Sequence, residues 1–76
     1  MARRHPTPSR ALARYCEAHG YSLAELARRV DSDRISISRI VHRRRRPGSR
    51  LALRIEVETG ISSASWALEP RASVAP

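Results

Sequence analysis

Between Ser22 and His42 the chain reads as two short helices separated by a tight turn. Ser22-Leu23-Ala24-Glu25 has the S-x-x-E form of a capping box, in which a serine side chain serves the orphan amides of a helix start. Leu23, Leu26, Ala27 and Val30 then recur at helical spacing, with Glu25, Arg28 and Arg29 off the stripe. Asp31-Ser32-Asp33 sets three turn and cap formers in a row, so one helix stops there and the next begins. The second helix should start after Asp33 and run to about His42. At about 100° per residue, Ile37, Ile40 and Val41 gather on one side, and Ile35, Ser38, Arg39 and His42 on the other. Such a helix docks by its aliphatic back and offers a polar front, on which Ile35 is the apolar exception.

The flanks extend the same reading. Residues 1–6 form a flexible basic arm carrying Arg3, Arg4 and His5. Thr7 before Pro8 is a cap followed by a proline that has no N–H to leave unsatisfied. A first helix follows to about His19, with Leu12, Tyr15, Cys16 and His19 on its inner face and Gly20 closing it. Arg43 to Arg46 and Pro47-Gly48 make a loop, after which Ser49 caps a fourth helix from about Arg50 to Glu58 that Thr59-Gly60 stops. On that helix Leu51, Ala52, Ile55 and Thr59 share one side while Leu53 and Val57 lie nearly opposite. Ile61 and the stretch from Ser62 to Leu68, with Trp66, suggest a last short helix or turn, and residues 69–76 a disordered tail. The expected fold is all-α: one domain over residues 7–68, with four to five helices, no strand and no internal repeat.

Charge narrows the partner. Fifteen basic residues, every one arginine, stand against seven acidic ones in 76 residues, for a net charge of +8. A surface with a pI near 11.6 attracts polyanions, nucleic acid foremost. Uniform arginine usage fits a GC-rich coding bias, but that bias does not explain a twofold excess of cations. The single cysteine, Cys16, excludes an internal disulfide, and no Cys/His spacing suits zinc. His5, His19 and His42 are scattered. No apolar run has the length of a signal peptide or a membrane span, so a cytoplasmic protein is expected, without cofactor. Enzyme chemistry is rejected: Cys16 lacks a base, and neither a carboxylate pair nor a phosphate loop is visible.

The stretch from Ser22 to Ile40 resembles the phage-repressor, Cro and Xre-type helix-turn-helix family, through Ser22, Glu25-Leu26-Ala27, Val30 and Ile37-Ser38-Arg39. The likeness extends over about Leu12 to Ile61, taking in the basic loop, Pro47 and the segment ending in Thr59-Gly60. Three positions depart from the family pattern: Asp31 stands at the turn glycine, Ser32 at the apolar residue after it, and Leu23 at a common glutamine. The resemblance implies a helix-turn-helix at helices 2 and 3 that binds double-stranded DNA. Together with the wheel it makes Arg34, Ile35, Ser38 and Arg39 candidates for base contact, and Ser22, Ser36, His42, Arg43, Arg44, Arg45 and Arg46 for phosphate contact. Arg3 and Arg4 either enter a minor groove or stay disordered. The family's habit of reading inverted half-sites implies a homodimer, and Leu53, Val57, Trp66 and Leu68 are the candidate interface; the alternative folds Trp66 back within one chain. A transcriptional repressor leads. Two others stay open: an antitoxin-type autorepressor that holds a protein partner at its C-terminal region, and an interaction module indifferent to nucleic-acid sequence.

Overall fold

The computed structural model describes residues 7–68, and the expectations for the arm and the tail lie outside the described residues. Every described element is helical: α1 Pro8–His19, α2 Leu23–Arg29, α3 Arg34–Val41, α4 Ser49–Thr59 and a closing 3₁₀ helix Ser63–Leu68. Local chemistry explains most starts. The hydroxyl of Thr7 accepts the amide of Arg10, that of Ser22 the amide of Glu25, and the carboxylate of Asp33 the amide of Ser36. In each case an extended residue turns its side chain onto an amide that the first helical turn leaves unpaired. α4 is different. The sequence points to Ser49 as its cap, but Ser49 is already helical and Gly48 stands at the cap without a side-chain hydrogen bond.

The ends of the helices follow one device. Gly20 sits at φ 68°, Asp31 at 56° and Arg43 at 61°. At each, two amides turn back onto the last carbonyls. Tyr21 and Gly20 bond to Cys16 and Glu17, Ser32 and Asp31 to Ala27 and Arg28, and Arg44 and Arg43 to Arg39 and Ile40. This is the Schellman closure, which needs a left-handed residue just past the helix. Glycine takes that conformation without strain and aspartate with little, whereas a residue such as arginine gives up about 1–2 kcal/mol.

Leu12, Cys16, Leu26, Ala27, Val30, Ile37, Ile40, Ala52, Ile55 and Trp66 form a single core, with Tyr15, Tyr21, Leu23, Val41, Leu51 and Ile61 packed against it. α2 lies most intimately on α3, α1 also meets α3, and the 3₁₀ helix folds onto α4. Ile37 and Ile40 are buried on the back of α3, as the wheel required. Two placements correct the sequence reading. His19 is exposed rather than on the inner face, and its ring stacks on Tyr15 and Tyr21. Trp66, a candidate for contact between chains, is only 4% exposed within its own core. The 3₁₀ helix swings the indole inward, so its surface is already covered. The Leu68 side chain lies outside the described residues.

The Trp66 indole N–H has no partner among the described residues, so the ring contributes through packing alone. Trp66→Ala should therefore destabilise the fold by about 3–5 kcal/mol, and Trp66→Phe by well under half as much. Urea unfolding of the three proteins checks this; equal losses for both variants would contradict it.

Candidate nucleic-acid interface

The placement of α3 begins at its cap. Asp33 accepts the backbone amide of Ser36 at 3.0 Å through one carboxylate oxygen and the Ser36 hydroxyl at 2.8 Å through the other. These bonds hold the Asp33 carboxyl below the usual carboxylate range. They also revise one expected contact. A phosphate oxygen only accepts hydrogen bonds, and the Ser36 hydroxyl hydrogen is committed to Asp33. Ser36 in this geometry belongs to the cap. Four residues, Val30 to Asp33, join α2 to α3, and Arg54 reaches the turn from α4 with an ion pair of 3.5 Å to Asp31.

With Ile37 and Ile40 facing inward, the outer face of α3 collects the predicted readers. Arg34 and Arg39 are exposed, Ser38 is half-buried, and Ile35 is 57% exposed. His42, just past the helix, is exposed too, and its Nδ1 donates to the Ser38 carbonyl at 2.7 Å. That bond fixes the ring on α3 and leaves Nε2 as its other polar atom. Ser22 is exposed at the start of α2, with its oxygen accepting the Glu25 amide at 3.1 Å. Its hydroxyl hydrogen is not used by that bond. Arg43 to Arg46 are all exposed in the loop that follows α3.

The charges are sorted in space as well as in number. Residues 34 to 55 contain eight arginines and not one carboxylate. Among the described residues the ion pairs engage Arg28 and Arg29 with Glu25, Arg29 with Glu58, and Arg54 with Asp31. None engages Arg34, Arg39 or Arg43 to Arg45. The acidic residues of these pairs thus neutralise arginines of α2 and α4, and Arg34, Arg39 and Arg43 to Arg45 keep their field.

Away from this face, Tyr15, His19 and Tyr21 stack, Arg29 lies 4.2 Å over the Tyr21 ring, and the Tyr15 hydroxyl donates to Glu58. Partial burial and the neighbouring Glu58 carboxylate push the Tyr15 phenol above its ordinary value. This strut ties the ends of α1 and α4 to α2. The residue pattern sets Tyr15 and His19 one turn apart, but it does not announce the contacts with Arg29 and Glu58, which lie farther along the chain. Burial likewise raises the Cys16 thiol, the reverse of what a nucleophile needs. Among the described residues no cluster of histidine, cysteine and carboxylate groups could hold a metal ion, and no helix is long and apolar enough to cross a membrane.

Two short helices joined by a tight turn, the second backed by isoleucine and fronted by unneutralised arginine, define a DNA-binding protein of the helix-turn-helix class. Residues 12–66 match the family model described as helix-turn-helix, and the chain belongs to this Xre/Cro-type family of DNA-binding regulators. No curated protein and no solved structure shows significant similarity to it.

Asp33 is the residue on which the start of α3 depends. Asp33→Ala should lower the melting temperature, and Asp33→Asn, which still accepts the amide, should lower it less. Because folding depresses the Asp33 pKa, its contribution is fully present above the unfolded value of about 4 and disappears as pH falls through the folded value. The gap in melting temperature between wild type and Asp33→Ala should hold steady from about pH 5 to 7 and narrow as pH falls below about 4. A gap that does not change with pH would contradict this cap.

Proposed function

We propose that the protein is a sequence-specific repressor that binds double-stranded DNA as a homodimer on an inverted-repeat operator. One observation carries the reading: the cationic outer face of α3 stands exposed and, among the described residues, without ion-pair partners, on a helix whose back is locked into the core. A major groove about 12 Å wide admits one such helix, and side chains near its N-terminal half reach base edges.

Roles follow from chemistry. Arg39 in the last turn of α3, and Arg34 at its first position, suit the paired acceptors O6 and N7 of guanine. Ile35 suits a thymine methyl, which gives a use to an isoleucine left 57% exposed on a helix that buries two others. Ser38 is a shorter polar reader between them. Ser22, His42 and Arg43 to Arg46 serve phosphates and set the register without reading sequence. Repression then requires only occupancy of the operator.

For the dimer, the burial of Trp66 leaves α4 as the supporting surface. Leu53 is 55% exposed and Val57 88% exposed, one turn apart. Two isologous copies of that stripe would cover each other about a two-fold axis. The same burial leaves Trp66 itself little surface to offer a protein partner.

Mobility shifts on a matched and a scrambled duplex test the proposal. Arg39→Ala should weaken binding to the matched duplex by about 1–3 kcal/mol and leave the scrambled one nearly unchanged. Replacing Arg44 and Arg45 together should weaken both alike and flatten the log–log salt dependence by about 0.9 for each phosphate no longer neutralised. The matched complex should hold two protomers. Equal losses on both duplexes for Arg39→Ala would remove it as a reader, and a single protomer on the matched site would remove the dimer.

A further inference from the structure

Among the described residues four helix ends place a residue in the left-handed region, and three of them use one that tolerates it: Gly20, Asp31 and Gly60. The fourth, just past α3, is Arg43 at φ 61°. Arginine has neither the bare Cα of glycine nor the short carboxylate of aspartate, and it offers the backbone nothing there. The strain stands next to the most cationic surface of the molecule.

A cation near a helix C-terminus is favourable, because it meets the negative end of the helix dipole. That does not account for this placement. Arg44 follows directly and Arg39 lies in the last turn of α3, so the charge is supplied with Arg43 replaced by glycine. What Arg43 adds is position. Its amide bonds to the Ile40 carbonyl at 3.1 Å, and the next amide, of Arg44, bonds to the Arg39 carbonyl at 2.8 Å. Both bonds run back into the helix, so the Cα–Cβ direction of Arg43 is fixed with respect to α3. Among the described residues Arg45, in the irregular run leading to Pro47, has no such closure onto the helix.

Resting on the DNA-binding reading above, we infer that Arg43 is a positioning residue. Its guanidinium is a phosphate anchor rigidly coupled to the recognition helix, and its strained backbone is retained for that contact rather than for stability. An anchor that moves with α3 fixes how far the helix slides along the groove, which a cation on an unclosed loop does less well. Local strain kept beside a functional surface is the pattern that such a role leaves.

The full chain with Arg43→Gly and with Arg43→Lys, set against wild type, tests this by thermal melting and by duplex binding across a range of salt. Arg43→Gly should melt at or above the wild-type temperature, with the folded-to-unfolded ratio raised by up to roughly fivefold. Its log–log salt slope should flatten by about 0.9 per protomer, with affinity down roughly fivefold at moderate salt. Arg43→Lys, which keeps the charge, should keep most of the slope. A wild-type slope in Arg43→Gly would overturn the inference, and so would a melting temperature several degrees below wild type, since the arginine would then be serving the fold. Wild-type protein that binds no duplex would defeat the parent reading instead, a result distinct from wild type binding and Arg43→Gly matching it.

Discussion

The structure depends on how tightly α2 can be held against α3. Four residues must reverse the chain between them, and Asp31 makes this possible by entering the left-handed region at φ 56°. The amides of Asp31 and Ser32 then close α2, and the carboxylate of Asp33 opens α3. Ala27 is buried in the core that α2 and α3 share. A larger side chain there would push the helices apart, at a cost of about 1–3 kcal/mol for overpacking. Every statement about the outer face of α3 presupposes this arrangement, because the same closure that buries Ile37 and Ile40 turns Arg34, Ile35 and Arg39 outward.

Electrostatics and packing divide the molecule between them. Glu25, Glu58 and Asp31 each meet an arginine on α2 or α4, and the Tyr15–His19–Tyr21 stack, with Arg29 and Glu58, binds α1, α2 and α4 together. Exposed ion pairs of this kind contribute little singly, typically under about 1 kcal/mol. Their larger effect is on where the charge is not cancelled. With no carboxylate from residue 34 to residue 55, positive charge gathers on α3, the loop after it and α4.

Much of this is legible in the residues. Thr7-Pro8, Ser22 with Glu25, and Asp33 announce three helix starts, and Gly20 and Gly60 two ends, because each acts on its immediate neighbours. The inward and outward faces of α3 follow from spacing alone. What escapes the sequence is settled by distant contacts or by geometry without a residue preference. Gly48 rather than Ser49 caps α4, since the chain leaving Pro47 is already extended there. Ser36 reads as free for phosphate, but its hydroxyl lies on Asp33; His19 reads as a core residue, but Tyr21 offers it a surface stack. Trp66 is drawn inward by a 3₁₀ turn that only the packing on α4 specifies. Arg43 carries no local sign of a left-handed backbone; the hydrogen bonds that end α3 impose it.

The central claim is that duplex DNA is read by the outer face of α3, and a backbone amide map of the isotopically labelled protein titrated with its selected duplex tests it most directly. The largest shifts should fall on residues 34 to 43 and at Ser22, with residues of the Tyr15–Tyr21 stack nearly unmoved. Shifts centred on that stack, with α3 silent, would contradict the account.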